Sequence, residues 1–375
     1  MSRSRTRRGA LAAVAAVALL TITAGPATAS PAPAAPPAKG GEVTRIEEQV
    51  ARDLARSLAD PAWRAGLRAG ADAGTAQLAP LASRSSAPAA RGLAAGVADA
   101  DRRIAAAKGL GAEPGPLLQV QLADPSMRAA LDAGLAPLVA AATADDHART
   151  ITAYDTAGRS HLLRTEEIPN RPVYLVDLDS ARTTAAGLRV LGAELARQGL
   201  GLPVARPAAP AAAGWWATKI DAVEVKDDEE PWFKGDAEMF ALVTGFGLDG
   251  KVRVDSVDMP YLNNDGTVYR PNQILVNWSN YKYNLADVVL MEDDGDTNYQ
   301  ALATAIAAVL LTIADQGAYI PLVNAVLSAV PASWWTDDPD YVDSWYTLAR
   351  TSSGRLDGAA ANGWLSVSPY FVEQF

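Results

Sequence analysis

From Trp215 to its end the chain is a succession of short apolar segments cut by turns, and no other feature constrains the fold as tightly. Segments 220–225, 237–244, 252–257, 273–278 and 288–291 alternate or run apolar, and Asp249-Gly250 and Asp265-Gly266 supply hairpin-type turns. Segments 341–348 and 364–371 add two closing strands. This spacing predicts an antiparallel β-sandwich over 215–375. An apolar stretch, 301–314 followed by 319–330, interrupts the pattern. Each piece falls short of the ~20 residues that a membrane-spanning helix requires, so a buried helical insertion near 298–331 is expected, with a membrane-acting hairpin as the alternative.

The preceding part, 44–203, reads differently. Ile46, Val50, Leu54 and Leu58 recur at helical spacing, with Thr44 as the N-cap of a capping box completed by Glu47, and Asp60-Pro61 stops the helix. Alanine-rich helical pieces continue to about residue 108. A strand at 117–122, a helix from Asp124 to Leu131, a hairpin of 151–154 with 160–164, and a buried strand at 173–178 follow. With a helix over 181–197 behind that strand, they make a small α+β unit, so the whole chain is α+β. The Pro/Ala stretch 204–214 reads as a linker between the two parts, and eight of the nine tryptophans follow it.

The first residues point to export. Arg3, Arg5, Arg7 and Arg8 precede an apolar run, and Ala27-Thr28-Ala29 forms a small-residue cleavage site, so 1–29 is expected to be a signal peptide and Ser30 the mature N-terminus. A Pro/Ala linker over 30–43 follows. The expectation is a secreted, extracellular protein with no stable membrane anchor after cleavage. There is no cysteine, so nothing can be acylated or stapled by disulfides, and the core must supply the stability. Charge is uneven: 30–214 holds 20 basic and 19 acidic residues, whereas 215–375 holds 9 basic against 24 acidic, a net of −15. Nucleic acid would be repelled, and a cation or other extracellular ligand fits better.

Two acidic tracts concentrate that charge. Asp227, Asp228, Glu229, Glu230, Asp236 and Glu238 lie in the first, and Glu292, Asp293, Asp294 and Asp296 in the second. Ca²⁺ takes six to eight oxygen ligands, and sandwich loops bring sequence-distant carboxylates together, so these ten residues are the candidate metal ligands. Ten carboxylates gathered at one end need a counter-ion. The other reading is a solvated acidic surface. No EF-hand frame fits around Gly266 or Gly295, and zinc has neither cysteine nor an HExxH motif.

The tracts VEVKDDEEPWFKGDAEMFALV (223–243), ADVVLMEDDGD (286–296) and YLVDLD (174–179) together resemble an uncharacterised family of secreted bacterial proteins, a domain of unknown function. The likeness covers most of the mature chain and implies export and a shared fold, with no activity attached. The C-terminal part is also similar in architecture to calcium-binding sandwiches of the C2 type.

Catalytic motifs are scarce. Gly158-Arg159-Ser160-His161-Leu162 begins like a nucleophile elbow but lacks its last glycine and falls on a hairpin, which makes His161 a strand residue; Asp146-His147 reads as an exposed loop pair. Trp215, Trp216, Trp232, Trp334 and Trp335 lie near acids, a pattern compatible with sugar stacking and glycoside hydrolysis, although a sandwich core also consumes tryptophan. The reading is therefore a secreted, non-catalytic protein that binds calcium or another ligand, with a carbohydrate-active hydrolase and a membrane-acting factor as alternatives.

Overall fold

The computed structural model describes residues 41–72, 74–111, 114–142, 148–201, 214–226, 232, 238–293, 295–330 and 341–373. The leader 1–29, most of both Pro/Ala stretches, Asp227 to Glu230, Asp236, Asp294, His147, Trp334 and Trp335 lie outside them. Gly40–Phe375 form one compact unit.

Four helices open it: α1 (Glu42–Ser57), α2 (Pro61–Asp72), α3 (Leu78–Arg84) and α4 (Pro88–Ala107). Val43, Ile46, Val50 and Leu54 of α1 are buried on one stripe, as their spacing requires. Thr44 and Glu47 are also buried inside this helix, so the expected capping box does not form; Gly41 is the N-cap. Asp60 caps α2 instead, accepting from the amides of Ala62 and Trp63 at 3.0 and 3.3 Å.

The helices cover one face of a six-stranded sheet. Its strands are β1 (Ala76–Gln77), β2 (Leu118–Leu122), β3 (Leu138–Ala141), β4 (Thr150–Tyr154), β5 (Ser160–Arg164) and β6 (Val173–Leu178), in the order β1-β2-β6-β3-β4-β5. All pairs are antiparallel except β3 with β6. Period-two alternation divides the faces: Val139, Tyr174 and Val176 join the helical core, while Leu138, Ala140, Val173 and Leu175 form a smaller cluster on the other side, against which Trp232 packs.

Beyond the sheet, α5 (Arg128–Asp132) is short and α6 (Ser180–Arg197) is long. The expectation set α6 behind the strand at 173–178, but it packs against α7 (Tyr299–Leu310) and a sandwich strand. The reason is its apolar stripe, Leu188, Leu191 and Leu195, which is buried in a cluster made chiefly by residues after 239.

The C-terminal part is mixed α+β of the expected kind, a sandwich with a helical layer. One sheet runs β10 (Gln273–Asn277), β7 (Gly214–Val225), β14 (Gly363–Glu373), β13 (Gly354–Asp357); the other runs β12 (Tyr341–Ala349), β11 (Leu285–Glu292), β8 (Met239–Phe246), β9 (Val252–Asp258). Every pairing is antiparallel. Ile220, Val223, Leu365 and Val367 of the first sheet face Ala241, Val243, Val288 and Leu290 of the second. The second sheet is covered on its other face too: Phe240, Leu242, Val289 and Met291 meet α6, α7 and α8 (Val323–Ala329). That double burial explains why β8 and β11 read as continuous apolar runs although their sheet is antiparallel. Helices α7 and α8 are thus the buried pair that the apolar insertion suggested, and no helix among the described residues is long and apolar enough to cross a membrane.

The stretch 204–214 separates sheets but not cores, because α6 belongs to the apolar layer beyond it. A fragment beginning at Gly214 is therefore expected to show no cooperative thermal transition, whereas the chain from Ser30 melts cooperatively. A sharp transition from the shorter fragment, followed by circular dichroism, would establish the sandwich as autonomous.

Candidate functional site

The second acidic tract ends β11, and β11 pairs with β8 so that Glu292 stands opposite Met239. This register makes the two tracts adjoin: the Asp293 amide donates to the Glu238 carbonyl at 3.0 Å. Into that corner comes Lys108, the C-cap of α4. Its Nζ donates to Asp293 Oδ1 at 3.1 Å and to the Gly295 carbonyl at 3.0 Å, and lies 5.7 Å from the Tyr299 ring centroid. The two side chains are 0% and 2% exposed. Thr184 of α6 donates from Oγ1 to the other Asp293 oxygen at 3.0 Å, and Ser180 donates to Glu238 Oε1.

The rest of the tract ties down two further helix ends. Asp296 accepts from the Val43 amide at 3.1 Å and from Thr44 Oγ1 at 3.3 Å, so a carboxylate from the C-terminal part caps α1. Gly41 permits this, since a Cβ there would overlap the Asp296 carboxylate. Asn298 caps α7 through Oδ1, 2.9 Å from the Ala301 amide, while its Nδ2 donates to the Ala107 carbonyl at 2.7 Å. The Tyr299 amide donates to the Lys108 carbonyl at 3.1 Å. Gly187 of α6 makes room for the Tyr299 ring, which a Cβ would overlap.

Of the ten expected metal ligands, then, Glu238 and Asp293 meet at this corner, Glu292 ends β11 opposite Met239, Asp296 caps α1, and the other six lie outside the described residues. Among the described residues no group of three or more acids or histidines is arranged to hold a metal ion. Lys108 supplies counter-charge at Asp293. The residue reading missed it, although a signal existed: Lys108 is the sole lysine between Lys39 and Lys219, in a stretch whose other basic residues are arginines. A carboxyl sits near it as well. Burial pushes Glu47 well above the usual carboxylate range, Asp177 and Asp296 push the same way, and the Lys108 charge opposes them.

Other ionisable groups serve turns. Asp155 accepts from the amides of Ala157 and Arg159 at 3.0 and 2.9 Å, from Arg159 Nε at 2.9 Å and from His161 Nε2 at 3.2 Å. The Arg159 amide is the chief cause that holds its carboxyl far below the usual range. The 158–162 segment is a β-hairpin, β4 with β5, which is strand geometry and no nucleophile elbow. Several tryptophans are structural: Trp63 is core, Trp278 donates to Thr218 Oγ1 at 2.9 Å, Trp345 to the Leu356 carbonyl at 3.0 Å, and Trp232 to the Thr165 carbonyl at 2.6 Å.

Different aromatic residues remain outside. On β14, Leu365 and Val367 face the core, so Trp364, Ser366, Ser368 and Tyr370 share the outer face of the sheet. The Arg355 guanidinium lies 4.4 Å from the Trp364 ring centroid, and Lys219 Nζ lies 5.6 Å from that of Tyr370. Each cation is paired on the same sheet, Arg355 with Asp357 at 2.9 Å and Lys219 with Asp221 at 3.0 Å. Tyr370 is 46% exposed. At the strand ends Trp216, 44% exposed, meets Phe371 edge-on at 5.3 Å.

Fold and site together define a mixed α+β protein in which a helix-covered sheet is locked to a β-sandwich through buried charge. The chain belongs to the family described as Protein of unknown function (DUF3103), whose model matches residues 47–375. No curated protein and no solved structure matches it.

The raised Glu47 carboxyl gives a pH test. The folded state keeps a proton there that the unfolded chain releases above about pH 4.3, so its burial costs stability increasingly as pH rises from that value through the folded-state one. Glu47→Gln removes the cost. We expect its melting temperature to exceed that of the parent by about 2 °C at pH 7 and the gain to vanish near pH 4. An equal or larger gain at pH 4 would show that Glu47 is ionised in the fold.

Proposed function

We propose that this chain is a secreted, non-catalytic protein that binds neutral carbohydrate on the outer face of the β10-β7-β14-β13 sheet. The observation that carries this reading is the strip of Trp364 and Tyr370 on one face of β14, six residues apart and hence roughly 20 Å. Neither ring is needed in the core. Serine hydroxyls at Ser366 and Ser368 lie between them, and the flanking cations are neutralised by Asp357 and Asp221. Flat rings on a polar surface whose two cations are paired and where Glu224 stands opposite Trp364 suit hydroxyl-rich polymers better than polyanions. Export is supported by the leader-like 1–29.

The test is retention of the exported protein, whose N-terminus is expected at Ser30, on insoluble neutral polysaccharides. Trp364→Ala and Tyr370→Ala should each weaken binding about tenfold, the equivalent of about 1.4 kcal/mol, without changing the melting temperature. Release of reducing sugar would overturn the non-catalytic reading, and failure of the parent to bind any neutral glycan would overturn the ligand class.

Calcium at the acidic corner is a second reading, favoured by the register that sets Glu238 beside Asp293. Saturation at 100 times the dissociation constant would stabilise the fold by about 2.7 kcal/mol. Melting in calcium and in chelator decides it: a higher temperature in calcium, lost in Glu238→Gln, supports the site, and identical temperatures remove it.

A further inference from the structure

We propose that Lys108 and Asp293 become covalently joined, through an intramolecular amide between Lys108 Nζ and Asp293 Cγ. The two groups are held in contact at 3.1 Å, with their side chains 0% and 2% exposed, in the place where the two parts of the chain are tied together. Contact of this kind makes the reaction effectively unimolecular, and burial excludes the water that would reverse it. The surroundings suit the chemistry. Thr184 Oγ1 donates to Asp293 Oδ2, the oxygen that would remain as the amide carbonyl and carry negative charge as nitrogen adds. The Gly295 carbonyl, 3.0 Å from Nζ, can keep the single N–H that the amide retains. Burial raises the Glu47 carboxyl and the Lys108 charge opposes that shift, so a second carboxyl lies within electrostatic range of Nζ.

The step balances without a co-reactant. The ammonium gives up a proton, the freed lone pair adds to Cγ, and Oδ1 departs as water with two protons that came from nitrogen. One N–C bond forms and one C–O bond breaks, with no change of oxidation state. The product replaces two buried charges, costly to keep out of water, by one neutral amide. It also bridges residues 108 and 293 in a chain that has no cysteine to do so, restricting the unfolded state as a long-loop disulfide would.

Mass spectrometry of the denatured full chain tests the proposal directly. The expected result is an intact mass lower than that of the sequence by one water, trypsin resistance after Lys108, and a branched peptide in which Lys108 is joined to Asp293. Lys108→Arg and Asp293→Ala should both be recovered at full mass. An unmodified parent mass would overturn the proposal, as would a loss of water without that branched peptide. Since the parent alone decides, poor folding of the variants leaves the test intact.

Discussion

A buried ammonium against a buried carboxylate is the constraint around which this molecule is organised. Removing two such charges from water costs several kcal/mol per ion unless each finds a full set of partners. Lys108 therefore fixes more than itself: its acceptors lie on the loop after β11, and Asp293 in turn takes a hydroxyl from α6. The same loop then caps α1 through Asp296 and reaches the end of α4 through Asn298. One loop thus fixes the relative positions of three helices and the central sheet of the sandwich, because leaving any of these polar groups unmatched would be expensive.

Buried aspartates do comparable local work elsewhere. Asp101 gathers the amides of Leu117 and Leu118 at 3.0 and 2.9 Å, joining α4 to the start of β2. Asp343 collects the amides of Ala360, Asn362 and Gly363 between 2.7 and 3.0 Å, and so folds the loop between β13 and β14 onto β12. Asp287 accepts from the amides of Leu322 and Thr347, anchoring the lead-in to α8 and a bulge where Thr347 has φ +55°. A β-branched residue in the left-handed region is strained, and a charge-assisted hydrogen bond offsets part of that strain. Where small exported domains use disulfides, this chain uses carboxylates that organise backbone amides.

Much of the architecture was legible because burial leaves a period in the sequence. The alternation of Leu118, Val120 and Leu122, and the continuous runs of β8 and β11, announced their strands, and the apolar stripe of α7 announced a buried helix. β3 was not legible. Its sequence, LVAA, is short and rich in alanine, and its strand character comes from lying between β6 and β4. The capping box at Thr44 failed for a different reason: the local pattern was present, but Asp296, more than two hundred residues away, capped the helix first. The acidic tracts showed that charge would gather at the ends of β8 and β11, but a single lysine in an alanine-rich helix gives no local sign of the partner it will meet.

The same burial logic divides the sandwich into an inert face and an available one. β8 and β11 are spent twice, against the opposite sheet and against α6 to α8, so their side chains are fixed by packing. The β10-β7-β14-β13 sheet is covered on its inner side, and its outer side carries rings, hydroxyls and paired charges. An aromatic residue left on such a face gains nothing from the core and exposes apolar surface to water, a cost that is tolerable for rings set singly along a strand. Rigidity below that face comes from the charge knot, since the knot fixes the sheet on which the first one rests, so the side chains it carries stand on a firm base.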